Sequence, residues 1–306
     1  MTTTAVQASP SETARALGRR LQVPLRLPAA LNGKVITNLS PSSAARFLAC
    51  PEEWRRYYIA RDRLPAAPVM FLGKTVDQAA NHCFELMIAG RPHPPLSDLL
   101  DRYRQAHTDL LEEEEYAFTA QESPERMLEL GAGAVRVVYE HVLPDIHEPI
   151  ACQRTVEFRI TRNAEWTVRG YLDLEERTRV RDLKIKGSPI GQPTANHDLQ
   201  ADTYLTERAI VGRPASEFIF DCVLKPGSRR KQYGYEQNRV RYADYRLRRT
   251  LVDYASVARG ICDLHATRGP EGPWPFASRG LKFGQTPKCS SRYCDFYASC
   301  PRGAAF

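Results

Sequence analysis

The 306-residue chain lacks the features that mark several common classes of protein. No run of 18 apolar residues is present, so we expect no transmembrane helix. Residues 1–14 lack the apolar segment of a secretory signal, and we interpret residues 1–33 as a flexible leader. The sequence has no internal repeat and no nucleotide-phosphate motif of the form G-x-x-x-x-G-K-S/T. These absences favour a cytoplasmic protein.

The composition is otherwise that of an ordinary soluble protein, with 42% hydrophobic and 26% charged residues. The length permits one large domain or two small ones, and we predict a single domain over residues 34–306. The net charge is +7, and residues 225–249 hold nine Lys and Arg against Glu236 and Asp244, with four tyrosines interleaved. Basic side chains for phosphates with aromatic rings for bases are typical of a nucleic-acid track. The alternative is a solvated helix face above packed tyrosines.

The order of the predicted elements indicates the fold class. Apolar periodicity predicts an N-terminal group of helices, and alternation predicts strands from about residue 150 onward. This order of helices, three strands, a helix, two strands and a helix implies an α/β core with a mixed sheet. The predicted helices are 44–58 with a break near Pro51, 74–88, 99–116, 124–142, 197–211 and 242–266, and the predicted strands are 150–160, 166–175, 179–186, 218–224 and 232–240.

Two acids and a lysine interrupt the apolar pattern of adjacent predicted strands. Asp173 lies on the first strand and Asp182 on the second, and the polar residues 176–179 between them predict a short antiparallel turn. The two carboxylates are therefore expected side by side. Lys184 follows Asp182 by two residues, so it projects from the same face of the strand.

These three residues suit a hard divalent cation beside a phosphate. Mg²⁺ and Mn²⁺ prefer oxygen ligands and keep several waters, which fits carboxylates plus a substrate phosphate. Lys184 is then expected to orient the attacking water or to stabilise developing charge. Ordinary cross-strand ion pairs at a sheet edge are the alternative interpretation when the three residues are taken alone.

The eight cysteines, in a chain without a secretory signal, point away from disulfides. Cys289, Cys294 and Cys300 are clustered in a C-terminal tail with little apolar material, and such a tail usually needs a metal to hold its shape. Cys50, which precedes Pro51, is the best candidate for a fourth ligand. A 3 + 1 set with a trailing Cys-Pro favours a 4Fe–4S cluster, with a zinc site or no metal as the alternatives.

Together the motifs resemble the RecB-type PD-(D/E)xK nucleases that carry an iron–sulfur cluster. This family includes the AddB nuclease domain, the CRISPR adaptation exonuclease, and related phage and mitochondrial single-strand exonucleases. The resemblance covers roughly residues 36–301 and implies a restriction-endonuclease-like core, a helical insertion over about 74–143 and chain ends joined by the cluster. The matching motifs are Leu39-Ser40-Pro41-Ser42 through Phe47 to Pro51, G-x-x-D ending at Asp173, D-x-K at Asp182 and Lys184, Q-x-x-x-Y at Gln200 and Tyr204, and the 1 + 3 cysteines.

The resemblance also implies catalytic roles for individual residues. The two acids and the lysine take the positions at which the family binds metal and activates water. The glutamine and tyrosine sit four residues apart, so they share a helix face and take positions similar to those that orient the site and the DNA. The residues with implied catalytic roles are Asp173, Asp182, Lys184, Gln200 and Tyr204.

One position departs from the family pattern. The family usually has a metal-ligating histidine in an early G-x-x-x-H segment, whereas here Gly73 is followed by Asp77. A carboxylate is at least as suitable as an imidazole for a hard cation. We therefore expect Asp77 to bind Mg²⁺ or Mn²⁺ together with Asp173, Asp182 and the backbone carbonyl of Leu183.

The implied function is metal-dependent hydrolysis of single-stranded DNA or DNA ends, by an exonuclease of DNA recombination, repair or phage DNA processing. The expected partners are the DNA itself and a helicase, recombination or CRISPR protein, because the chain has no helicase motif. The missing histidine leaves an alternative, which is a catalytically weakened nuclease-like module that binds DNA or assembles with other proteins. A zinc-stabilised endonuclease component of a larger machine is the third hypothesis.

Overall fold

The computed structural model describes residues 38–62, 64–160, 166–227, 230–277, 289–290 and 294–301. The predicted leader over residues 1–33 lies outside this part of the chain. The described residues divide into two units. The core unit comprises Pro65–Val156 and Tyr171–Arg246, and the second unit comprises residues 38–64, 157–170 and those from 247 onward.

Short elements and an aromatic cluster characterise the second unit. Ser40 caps its first helix, since the hydroxyl accepts a hydrogen bond from the Ser43 N–H (3.1 Å). Pro51 begins the next helix, so the predicted break at this residue is confirmed. Trp54 and Trp274 stack with their ring centroids 5.8 Å apart. The elements are β1 (Asn38–Leu39), α1 (Pro41–Ala49) and α2 (Pro51–Tyr58).

Three helices form the first part of the core unit, as predicted. Pro68 and Pro124 occupy the first position of two of them, where a proline is tolerated because that N–H has no partner within the helix. The first helix therefore begins at Pro68 instead of the predicted residue 74. The helices are α3 (Pro68–Ile88), α4 (Leu96–Glu113) and α5 (Pro124–Val137), and α5 continues into a π-helical turn (Val138–Val142) and a 3-10 turn (Leu143–Asp145).

The strands form a mixed sheet, which confirms the predicted α/β class. They are β2 (Pro149–Arg159), β3 (Thr167–Glu176), β4 (Arg179–Lys186), β5 (Glu217–Leu224) and β6 (Gly234–Arg241). In the core unit the order is β2-β3-β4-β5-β6. β3 and β4 are antiparallel, β4 and β5 are parallel, and β5 and β6 are antiparallel. In the second unit, β1 pairs in parallel with the first two residues of β3.

Helices cover both faces of this sheet in the core unit. The remaining helices are α6 (Gln192–Ala195), α7 (Leu199–Ile210) and α8 (Asp244–Arg268), and α8 continues from the core unit into the second. Helices α3, α4 and α5 pack on one face, against Leu183 and Val223 among others. Helix α7 packs on the other face, where Leu205 shares a core cluster with Phe220. None of the described helices is both long and apolar enough to cross a membrane.

The alternation of side chains breaks at Asp173 in β3. Residues two apart in a regular strand point to the same face, yet Leu172 packs on the α7 side and Leu174 on the α3–α5 side. One residue is therefore added to this strand, as in a β-bulge. The register with β4 reaches Leu174, opposite Arg181. Beyond that pair the Leu183 N–H donates to the Asp173 side chain, at 3.0 Å from Oδ2.

Candidate active site

Strand β4 places Asp182 and Lys184 on the face that α7 covers. The side chain of Leu183 between them lies in the core on the opposite face, as alternation requires. Lys184 Nζ lies 2.6 Å from Asp182 Oδ2. Asp182 is 1% exposed, whereas the Lys184 side chain is 31% exposed. The Lys184 ammonium group therefore contacts the buried Asp182 carboxylate and is also partly exposed to solvent.

Asp173 approaches this pair from β3, at the bulge. Its Oδ2 accepts the Leu183 N–H, so the side chain takes the place of a backbone carbonyl in bonding to β4. Burial raises the pKa of Asp173 to about 7, and the neighbouring Asp182 carboxylate adds to the shift while Lys184 opposes it. The carboxylates predicted to lie side by side are therefore close enough to repel each other.

Asp77 on α3 comes to the same cluster from a distant part of the sequence. Burial raises its pKa well above the ordinary range, and repulsion from Asp173 and Asp182 raises it further, against the lowering effect of Lys184. These interactions place the Asp77 carboxylate beside the strand acids. The residue that stands where the family has a histidine is therefore next to the other predicted ligands.

The cluster holds more negative charge than one lysine can balance. Burial also raises the pKa of Asp182, although Lys184 lowers it. Burial alone would lower the pKa of Lys184, but the attraction of Asp182, Asp173 and Asp77 outweighs it and the net shift is upward. Three acids thus share one ammonium group in a desolvated site. Such a site favours an additional cation.

Gln200 and Tyr204 on α7 hold the strands that carry the acids. Gln200 Nε2 donates a hydrogen bond to Asp182 Oδ1 and thereby fixes the orientation of this carboxylate. The Tyr204 hydroxyl donates to the backbone carbonyl of Tyr171 in β3 (2.7 Å). Tyr204 is 4% exposed and therefore acts on the site through the β3 backbone. Both side chains project from one face of α7, as their spacing of four residues predicts.

Asp198 is a residue of the site that the sequence motifs did not reveal. It precedes α7, and its Oδ1 accepts a hydrogen bond from the Gln200 N–H (2.8 Å). Its carboxylate also lies close enough to Asp182 to raise the pKa of that residue. The available signal was an aspartate at the start of a predicted helix, two residues before Gln200, and this pattern alone indicates only an N-cap.

A buried arginine fixes β4 from the other face of the sheet. Arg181 is 2% exposed and forms ion pairs with Glu176, Asp145 and Asp221. These acids lie on β3, on the 3-10 turn after α5 and on β5. Arg181 therefore joins the elements on both sides of β4 directly behind Asp182. A rigid strand at this point keeps the acids in position.

The donors fit a hard divalent cation in chemical type, charge and burial. Asp182 Oδ2 is buried and lies 2.6 Å from Lys184 Nζ, so the ammonium group is what faces its negative charge. Oxygen donors with excess negative charge are what Mg²⁺ and Mn²⁺ take. Within the described ranges, no three His, Cys, Asp or Glu side chains already have metal-coordinating geometry. The described arrangement is thus one in which Lys184 supplies the positive charge.

The predicted cysteine ligands all fall in the second unit. Cys50 is buried at the start of α2, and its sulfur accepts a hydrogen bond from the Glu53 N–H (3.5 Å). Burial raises the pKa of the Cys50 thiol, and Cys289 lies close enough to raise it further. Cys294 and Cys300 are half-buried. Over the described part of the chain the four sulfurs do not form a coordinating group.

The basic segment 225–249 is not a continuous track of free charge. Arg239 pairs with Glu217 (2.9 Å), and Arg246 is buried with its Nη1 2.7 Å from Asp202. These arginines stabilise the core unit. Fewer basic residues of this segment are therefore available to bind a phosphate than the sequence suggests.

The fold and the site together define the class of protein, an α/β protein with a restriction-endonuclease-like core. The chain belongs to the PD-(D/E)XK nuclease superfamily, whose sequence profile matches residues 38–301. No curated protein sequence matches it significantly. Among solved structures it is similar to a protein from Eubacterium rectale provisionally described as an exonuclease, with 11% sequence identity and a TM-score of 0.49 over 94% of this chain and 98% of that chain.

Proposed function

We propose that the protein is a divalent-metal-dependent exonuclease that hydrolyses phosphodiester bonds in single-stranded DNA or at DNA ends. The observation that carries this proposal is the convergence of Asp77, Asp173 and Asp182 with Lys184 in one desolvated site. Membership of the nuclease superfamily supports the class of reaction. The resemblance to RecB-type exonucleases supports the preference for DNA ends and a role in recombination, repair or phage DNA processing.

The metal would be held by the three carboxylates and by the backbone carbonyl of Leu183. When bound, Mg²⁺ or Mn²⁺ polarises a phosphoryl oxygen and lowers the pKa of a bound water. Gln200 holds Oδ1 of Asp182, and Oδ2, which contacts Lys184, is the oxygen that would bind the cation. Tyr204 fixes the β3 backbone two residues before Asp173. These contacts keep the donors in place before the substrate arrives.

Lys184 acts as a hydrogen-bond donor and not as a base. The surrounding carboxylates raise its pKa, so the ammonium group stays protonated at neutral pH. Its partial exposure lets it reach a phosphate while it remains in contact with Asp182. A positive donor at this point orients the attacking water and stabilises charge that develops on the phosphate.

An assay with end-labelled oligonucleotides tests the proposed function. Anaerobically purified protein is incubated with linear single strands that are free, 5′-blocked or 3′-blocked, and with circular single-stranded DNA, in Mg²⁺, Mn²⁺ or EDTA. We expect cleavage of free linear strands only with a divalent ion, loss of cleavage when one end is blocked, and intact circles. Circles cut as fast as linear strands would identify an endonuclease, and absence of metal-dependent cleavage would refute the proposal.

A catalytically weakened DNA-binding or assembly module is the second candidate. The observation that favours it is Asp77, whose charged form is disfavoured by burial and by two neighbouring acids. This candidate predicts salt-sensitive binding of single-stranded DNA without divalent-dependent turnover. Cleavage that EDTA abolishes and Mn²⁺ restores decides against it.

We also propose that Cys50, Cys289, Cys294 and Cys300 hold a 4Fe–4S cluster that stabilises the second unit. The proximity of Cys50 and Cys289 supports this, as does the N–H donated to the Cys50 sulfur, since such hydrogen bonds accompany cluster ligands. Four thiolates are also the donor set of structural zinc, which remains the competing occupant.

Metal analysis of anaerobically purified protein separates the two occupants. We expect broad visible absorbance with about four iron and four sulfide per chain, lost together in Cys289→Ser because one thiolate ligand is removed. Cys152→Ser, which changes a half-buried cysteine of β2, serves as the control and should keep the absorbance. A colourless protein with about one zinc per chain would support the zinc site instead.

A further inference from the structure

Lys186 and Arg230 place positive charge on the same face of the sheet as the active site. Lys184 and Lys186 are two residues apart in β4, so both project from the face that α7 covers. Lys186 lies opposite Leu224 in β5, and Leu224 lies opposite Gly234 in β6. Side chains in register share a face, so a side chain at position 234 would project from this face too.

The Arg230 guanidinium occupies the space above Gly234. A Cβ at position 234 would overlap Arg230 Nη1, which places the guanidinium on the face shared by Lys184 and Lys186. Neighbouring strands are about 4.8 Å apart, so Lys186 and the Arg230 head group are separated by about two strand spacings, roughly 10 Å. Lys186 lies roughly 7 Å beyond Lys184 along β4. The three charges therefore lead away from the active site at the carboxyl ends of β4 and β5.

The segment that carries Arg230 is fixed on both sides. The Gly227 N–H donates to the Arg230 carbonyl (2.7 Å). The Tyr233 hydroxyl donates to the Leu130 carbonyl in α5 (2.8 Å). The Tyr233 ring lies against Gly133, where a Cβ would overlap it. These contacts fix the backbone on both sides of Arg230, and its exposed side chain extends from there over Gly234.

Neither Lys186 nor Arg230 forms an ion pair with another described residue, unlike Arg239 and Arg246 nearby. Apart from the active-site acids, Glu236 is an acid on the same face, two residues beyond Gly234, and it accepts a hydrogen bond from Asn238 (2.9 Å). Beyond the active-site acids, one acid against two unpaired cations leaves this end of the face positive. Arg230 is exposed and Lys186 is half-buried. Solvent-accessible Lys and Arg without protein partners are the groups that bind nucleic-acid phosphates.

We propose that Lys186 and Arg230 bind the phosphates next to the one positioned at Asp182 and Lys184. The DNA strand then runs from the active site across the carboxyl ends of β4 and β5. This inference rests on the proposed function, because it takes single-stranded DNA as the substrate. It assigns a path to the DNA strand. Two specific side chains, Lys186 and Arg230, then take the phosphate-binding role that the sequence suggested for the longer basic segment 225–249.

Salt-dependent binding of fluorescent single-stranded oligonucleotides in EDTA tests the path. Each phosphate contact contributes about 0.7 to the slope of log K against log salt for a single strand, so Lys186→Gln/Arg230→Gln should lower the slope by about 1.4. The decrease in slope should be equal for oligo-dT and oligo-dC, because contacts to phosphates do not depend on the base sequence. Arg91→Gln/Arg102→Gln removes the same charge from exposed positions of the core unit and should leave the slope unchanged.

The outcomes separate this inference from the proposed function. The proposed DNA path would be wrong if the slope is unchanged in the Lys186/Arg230 double variant, or if the Arg91/Arg102 control lowers the slope equally. Either result would count against the path even if the wild type cleaves DNA. A wild type that neither binds single strands nor cleaves them with a divalent ion would overturn both. Binding with the expected loss of slope, but without metal-dependent cleavage, would support the path and refute the nuclease. The charge-conserving Lys186→Arg/Arg230→Lys should retain the wild-type slope.

Discussion

Asp182→Asn is expected to lower divalent-dependent DNA cleavage by about 10³-fold. The amide keeps the shape of the carboxylate and can still bond to Gln200, but it cannot carry the negative charge that attracts the cation and Lys184. Asp182 is 1% exposed, so water cannot replace the lost interaction. The loss should appear in kcat with both Mg²⁺ and Mn²⁺, because the charge is missing for either ion.

Thermal unfolding gives a second measurement of Asp182 that does not depend on activity. Mn²⁺ at about 100 times its dissociation constant should stabilise the wild type by about 2.7 kcal/mol, and this rise in Tm should be absent in Asp182→Asn. Glu217→Gln changes an acid of the same sheet that pairs with Arg239, and it should keep both the activity and the Mn²⁺ effect. Cleavage by Asp182→Asn within threefold of the wild type would exclude Asp182 from the site.

Much of the sheet was predictable because its signals are local. The bounds of β4 match the predicted 179–186, since alternation and the polar turn before it both appear within a few residues. The bulge at Asp173 was not predictable. It depends on Leu172 and Leu174 packing against different groups of helices, which no local pattern records. The short helix α6, which lies between the predicted strand 179–186 and the predicted helix 197–211, was missed for lack of periodicity, as it has only four residues.

The site was predictable where its geometry follows from a single strand or helix. The spacing of Asp182 and Lys184 dictates a common face, and their contact follows from it. The position of Asp198 beside Asp182 depends on how α7 packs on the sheet. The place of Arg230 depends on the register of β5 with β6. Composition likewise could not show that Arg246 is buried in an ion pair with Asp202.

Asp77→Asn is expected to lower metal-dependent cleavage by about 10²-fold and, at pH 8 in EDTA, to raise Tm. Burial and two neighbouring acids raise the pKa of Asp77, so its charged form costs stability when no cation is bound. A neutral amide of the same size avoids this cost and removes a ligand. Activity and stability should therefore change in opposite directions, as expected for a residue retained for its function.

Asp77→His also tests this position, because it replaces the carboxylate by the histidine of the family pattern and does not simply remove a ligand. Imidazole suits Mg²⁺ less well than a carboxylate does, so the ratio of Mn²⁺-supported to Mg²⁺-supported cleavage should rise. Gln78→His provides the control, since it places an imidazole on the exposed next residue, about 100° around α3. Full activity of Asp77→Asn with both ions would exclude Asp77 as a ligand. An inactive wild type that Asp77→His activates would instead show that the aspartate is what weakens the nuclease.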